Sequence, residues 1–201
     1  MTWNLHSSSD VCLVVFAGAR DPTQATELKA LADKSSGRLR IVRLTSASVE
    51  DNAAAVNEVE QKAGHIDVLI ANAGELLSIV PFWFCAQHAA GIARMSGNIA
   101  TAPLEDFLDQ YNVNSLGPIV LYRAAYDLLK KAKAPQFFVI SSAAGNITNM
   151  YGAMPNGPYG SSKAAVNFLV KKISFEEEFL TAVALHPGMV ASEMGTVSMN
   201  K

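Results

Sequence analysis

Tyr159 and Lys163 stand four residues apart in "YGSSK", a spacing that puts both on one face of a helix. A lysine ammonium beside a phenol favours the phenolate and pulls the tyrosine below its ordinary pKa of about 10. The phenol then serves as proton donor and acceptor near neutral pH. Tyr126 and Lys130 share the spacing, so the pattern alone decides little. Context separates the two pairs. Only Tyr159 follows a strand-like run ending in Ser141 and Ser142, whose hydroxyls would meet a substrate carbonyl at the strand's carboxyl end. Tyr126 and Lys130 read as a solvated helix face. Asn114, in "VNSLGP", offers an amide within a helix that can hold a bend or an ordered water. Downstream, "HPGMVASEM" sets a Pro-Gly turn after the last strand-like run.

The elements that must position these residues alternate along the chain. "DVCLVVFAGA" reads as a strand, and "PTQATELKALADKSS" as a helix with Pro22 near its first turn. "RLRIVRL" is a strand, "VEDNAAAVNEVEQKAG" a helix, and "IDVLIANAG" a buried strand ending in a small-residue turn. A long helix follows, "LEDFLDQYNVNSLGPIVLYRAAYDLLKKA", bent near Gly117 and Pro118. "QFFVISSAA" is a strand, "YGSSKAAVNFLVKKISFEEEF" a helix, and "LTAVALHPG" a last strand. This alternation predicts an α/β fold: a parallel sheet with helices on both faces and ligands at the carboxyl ends of the strands. No repeat or second domain interrupts residues 1–201, which form one expected domain.

Composition narrows the classes. The chain has 201 residues, half of them apolar and 17% charged, with net charge −2, which fits a globular core and gives no basic surface for nucleic acid. Cys12 and Cys85 form no disulfide framework and fit a reducing compartment. "MTWNLHSSSD" lacks a secretory pattern, so a cytoplasmic location is expected. Pro81, Gln87 and His88 interrupt the most apolar window, 76–93, which argues against a membrane span. His6, His65, His88 and His186 are scattered without metal-ligand spacing.

In order along the chain, "ANAG" (71–74), the asparagine of "NVNSLGP", the serines of "ISSAAG", "YGSSK" and "HPGMVASEM" resemble the short-chain dehydrogenases/reductases. The resemblance covers residues 11–74 and 98–195, and is nearest to fungal members of the norsolorinic acid ketoreductase type. It implies a Rossmann-like doubly wound fold and NADP(H)-dependent interconversion of a small-molecule carbonyl and alcohol, on a polyketide-like secondary metabolite. Tyr159 would be the general acid/base, and Lys163 would lower its pKa and hold the cofactor ribose. Ser142, with Ser141 as fallback, would bind the substrate oxygen, and Asn114 would complete a proton relay through water. Asn72, Ala73 and Gly74 would approach the cofactor, and Pro187, Gly188 and Ser192 would flank its nicotinamide. Ser192 stands where the family usually has threonine. A homodimer or homotetramer through the helices that begin near Leu104 and Tyr159 is also implied.

The family's phosphate loop, Thr-Gly-x-x-x-Gly-x-Gly, is not matched by "FAGARDPTQ": only Gly18 could align, and Pro22, Thr23 and Gln24 bring bulk and remove an amide. The family places two strands between that loop and "ANAG", whereas only "RLRIVRL" lies between "VVFAGAR" and "ANAG". "VVFAGAR" therefore reads as the second strand, with Arg20 placed to grip the 2′-phosphate of NADP. The expected sheet lacks its central first strand and helix, leaving the strands on either side without their shared neighbour. "MTWNLHSSSD" is too short and polar to replace them, and the family's C-terminal helix and strand are expected to be absent as well.

Segment 75–97 is atypical for the family. Codons for Gly74-Glu75 and for Ser96-Gly97 can contain an intron start and end, so it reads as a translated intron. The other reading is a lipophilic substrate loop, with Trp83 and Phe84 as candidate contacts. Two functions stay open: an NADP(H)-dependent reductase, and a truncated, non-catalytic relative that binds no cofactor.

Overall fold

The computed structural model describes residues 13–72, 75–76, 92–94, 96–150, 152 and 154–188. Cys12, Ala73, Gly74, Trp83, Phe84, Cys85 and Ser192 lie outside the described residues.

Seven strands and five α-helices follow the expected alternation among the described residues. They are β1 (Val15–Ala19), α1 (Thr26–Lys34), β2 (Leu39–Arg43), α2 (Val49–Ala63), β3 (Val68–Ala71), β4 (Glu75–Leu76), β5 (Ile92–Ala93), α3 (Leu104–Tyr111), α4 (Gly117–Lys130), β6 (Gln136–Ile140), α5 (Gly157–Glu176) and β7 (Thr181–Leu185). Local chemistry sets their ends. Ser48 accepts from the Asp51 amide to start α2, and Gly64, at φ 77°, ends it in the left-handed region that glycine enters without strain. α1 begins later than its apolar spacing suggests. Asp21 Oδ1 accepts from both the amide and the hydroxyl of Thr23, and this turn holds Pro22 outside the helix.

Every ladder is parallel, and the strands fall into three groups: β1-β2, β3-β6-β7 and the two-residue pair β4-β5. Among the described residues no ladder joins β1 to β3. That is the break expected where the shared neighbour is missing. Helices span it: α2 packs on β2 and on α4, while α4 packs on β3 and β6. Ser46 adds a hydroxyl bond to the Val113 carbonyl, 3.2 Å away.

The core lies on one face of β3-β6-β7. Phe137 and Val139 of β6 meet Tyr122 and Leu129 of α4 and Val166 and Val170 of α5 there. The register puts Val68 and Ile70 on the opposite face, beside Gln136 and Phe138. On that face the fold lacks the cover that the expected absence of the first and last helices removes. Val68 and Ile70 are 50% and 54% exposed, and no described helix covers them. The continuous apolar run of β3 is nevertheless what a strand buried on both faces requires. No helix among the described residues is long and apolar enough to cross a membrane.

Candidate active site

Three segments converge at the carboxyl end of β6. The first is the start of α5, where Pro158 pre-sets the first turn. Gly157 precedes it, next to the exposed Ile99 side chain. The turn carries Tyr159, Ser162 and Lys163, all 1% exposed or less. Lys163 Nζ donates to the Ile140 carbonyl at 3.0 Å and sits 5.7 Å from the centroid of the Tyr159 ring.

The second segment follows β6. Ser142 Oγ accepts from the Ala144 amide at 3.2 Å and so opens a 3-10 turn, Ala143–Gly145. The same side chain lies near enough to the Tyr159 hydroxyl to favour its ionised form. Ser141 is engaged elsewhere, donating to Asn167 Oδ1 at 2.6 Å. Of the two serines, the structure brings Ser142 to the phenol. Gly145 makes this approach feasible, because a Cβ on it would lie 2.6 Å from the Lys163 carbonyl carbon.

The third segment is the expected long helix, which is neither one α-helix nor simply bent. Between α3 and α4 runs a π-helical turn, Asn112–Leu116. Its widened turn fits the role such insertions play at functional sites, where they re-aim side chains. Asn114, 2% exposed, donates from Nδ2 to Ser162 Oγ at 2.9 Å. Ser115 Oγ donates to the Ser162 carbonyl at 2.7 Å. Ser162 Oγ in turn donates to the Tyr159 carbonyl at 2.7 Å.

Burial pushes the Tyr159 phenol above its ordinary pKa, and the nearby Ser142 side chain opposes this. Burial also brings Lys163 down, to about 7, close to the pH at which a proton would have to move.

The expected cofactor residues divide. Asn72 is exposed just past β3, and Pro187 and Gly188 follow β7, so all three stand at carboxyl ends of strands. Together with Tyr159 and Lys163 they fit the sugar and ring end of a nicotinamide nucleotide. Arg20 is exposed at the end of β1, in a different strand group from β6. The turn after it is closed by Asp21, whose carboxylate accepts from the amide and hydroxyl of Thr23 and is held below its ordinary pKa by them. The N-terminus of α1 has no side-chain cap.

Sequence reasoning missed Ser162, Asn167 and Gly145. Ser162 was legible as the i+3 partner of Tyr159; the other two depend on contacts between distant segments. It also missed how the end of segment 75–97 is held. Arg94 Nη1 lies 2.8 Å from both Asp106 and Asp109. Fully buried Gln110 accepts from the Arg94 amide at 3.2 Å. The second candidate pair is structural: Tyr126 donates to Glu177 at 3.1 Å, and Lys130 lies 5.3 Å over its ring.

A parallel sheet with a buried Ser-Tyr-Lys set at its carboxyl end defines an oxidoreductase of the carbonyl reductase type. The short chain dehydrogenase family profile matches residues 7–201, and the chain belongs to that family. An oxidoreductase of Schizosaccharomyces pombe is 34% identical over 94% of this chain and 68% of its own length. Norsolorinic acid ketoreductase of Emericella nidulans is 35% identical over 90% of this chain and 65% of its own length. Among solved structures, an NADPH-bound carbonyl reductase from chicken fatty liver is similar at TM-score 0.75 and 32% identity, over 90% of this chain and 71% of that one.

Proposed function

We propose that this chain carries the catalytic half of an NADP(H)-dependent ketoreductase acting on a ketone of a polyketide-like or related secondary metabolite. The observation that carries the reading is the buried connection of Asn114, Ser142, Tyr159 and Lys163, in which Ser162 links Asn114 to the backbone of Tyr159. The ketoreductase relative supports the substrate class, and the NADPH-bound neighbour supports the cofactor. When bound, the nicotinamide supplies the hydride. Ser142 orients the substrate oxygen, Tyr159 gives it a proton, and Lys163 with Asn114 restores that proton. Arg20 is the proposed contact for a 2′-phosphate, and Ala73, Gly74 and Ser192 are proposed to border the cofactor.

Thermal shift of this chain with NADP⁺ and with NAD⁺ tests the reading. Ligand at 100 times its Kd stabilises by about 2.7 kcal/mol. A shift with NADP⁺, together with loss of turnover in Tyr159→Phe, is expected; no shift with either nucleotide overturns it. A second reading, a relative that binds no cofactor, rests on "FAGARDPTQ", which does not match the family's phosphate loop. We also propose pairing of copies through α5, whose Phe168 and Phe175 are 69% and 71% exposed on one helix face. Sedimentation of Phe168→Glu checks it, with a monomer expected.

Segment 75–97 is further proposed to be a translated intron; Arg94 within it bonds Asp106, Asp109 and Gln110 of α3. Sequence of the spliced transcript decides this.

A further inference from the structure

We propose that Asn167 is a positioning residue that brackets the turn after β6 and so fixes where the Ser142 hydroxyl stands beside the Tyr159 phenol, an assignment that rests on the proposed roles of Ser142 and Tyr159. The Asn167 side chain reaches both ends of that turn from α5. Ser141 Oγ donates to Asn167 Oδ1 at 2.6 Å, and Asn167 Nδ2 donates to the Gly145 carbonyl at 3.4 Å. Ser142 and the 3-10 turn Ala143–Gly145 lie between those points. The Gly145 carbonyl can only accept, which turns the amide nitrogen toward it and leaves Oδ1 for Ser141. The bond to Ser141 is the shorter, and Ser141 is 3% exposed, so it carries most of the hold.

Spacing on α5 makes this reach possible. Asn167 follows Lys163 by four residues, so the two share a helix face. Each holds the same strand end: Lys163 Nζ takes the Ile140 carbonyl at 3.0 Å, and Asn167 takes the hydroxyl of the next residue. Within the turn the bonds are local. The Gly145 amide donates to the Ser142 carbonyl at 3.1 Å, the Asn146 amide to the Ala143 carbonyl at 3.0 Å, and the Ala144 amide to Ser142 Oγ at 3.2 Å. These three bonds shape the turn without reaching α5, whereas the Asn167 amide ties it to that helix at two points. Tyr159 rides on the same helix. Asn167 therefore couples the placement of the serine to that of the phenol, and an aliphatic side chain of similar size offers neither the acceptor nor the donor.

Amide exchange measured residue by residue on the 201-residue chain tests this without turnover. The reporter is the Ala144 amide, whose acceptor is Ser142 Oγ; the Asp51 amide, which donates to Ser48 Oγ at 3.2 Å, controls for general loosening. Asn167→Ala is expected to speed Ala144 exchange on the order of tenfold, about the worth of one hydrogen bond, with Asp51 unchanged. Ser141→Ala cuts the short bond from its other end, is expected to act in the same direction, and decides the matter should Asn167→Ala fail to fold. Ser142→Ala removes the acceptor outright, so adding Asn167→Ala to it is expected to bring no further acceleration. With a ketone and NADPH supplied, Asn167→Ala is expected to lower kcat on the order of tenfold with KM little changed, and to cost nothing more in the Ser142→Ala background. Three results would overturn the proposal: Ala144 exchange unchanged in the single variants, equal acceleration at Asp51, or losses that add in the double variant. A parent chain without turnover whose Ala144 amide still responds as expected removes the reductase reading and upholds the grip of Asn167 on Ser142.

Discussion

Asn114 Nδ2 donates to Ser162 Oγ across 2.9 Å, and that same oxygen donates to the Tyr159 carbonyl. One buried hydroxyl therefore fixes both the amide of the π-helical turn and the first turn of the helix that carries the phenol. Ser162→Ala leaves the Asn114 amide without this partner, at a cost of about 1–3 kcal/mol. We expect kcat to fall on the order of tenfold, equivalent to about 1.4 kcal/mol, with KM little changed. Ser162→Thr keeps the hydroxyl and restores most of the rate. Steady-state kinetics across pH checks this; an equal rise in KM would instead mark loss of substrate binding.

Lys163 titrates at about 7 in the folded chain against an ordinary 10.5. Between those values the unfolded chain holds a proton that the folded chain lacks, so stability rises as pH climbs through this window. The rise is at most about 1.4 kcal/mol per pH unit for one proton. Below pH 7 the cost of the buried charge is fully present. Lys163→Met removes it and is expected to unfold at higher denaturant than the parent at pH 6, with the difference shrinking by pH 10. Urea titrations at both values measure this, and turnover is lost throughout.

Gly145 lies against the backbone of Lys163, with a hypothetical Cβ 2.6 Å from its carbonyl carbon. Backbone cannot swing aside as a side chain can. Gly145→Ala is expected to destabilise by about 1–3 kcal/mol, and to raise the pH at which Lys163 titrates by prising open its dry site. Thermal unfolding and the pH profile together report it.

Gln110 is fully buried and bonds the backbone of Arg94 at both its amide and carbonyl. Gln110→Leu is expected to cost about 1–3 kcal/mol and to free the Arg94 amide for rapid exchange. Arg94→Ala, which loses partly exposed ion pairs, is expected to cost about 1 kcal/mol or less.

The order of strands and helices was legible because apolar spacing repeats faithfully in α2, β3 and α5. The break in the sheet was legible too, from one strand too few before "ANAG". The late start of α1 was hidden because the Asp21–Thr23 turn competes locally with helix. The π turn was hidden since Asn112–Leu116 carries no residue forbidden in an α-helix. The serine, tyrosine and lysine could be named from "ISSAAG" and "YGSSK", yet their electrostatics could not. Whether Lys163 charges the phenol or discharges itself depends on how dry its surroundings are, and burial is set by segments far apart in sequence.

The uncovered face at Val68 and Ile70 has a consequence outside chemistry. In a cell, quality control reads exposed apolar strands as an unfinished chain, and chaperones and proteases sort proteins by that signal. The abundance of this protein will therefore follow whatever shields β3, and its lifetime will be decided before its first turnover.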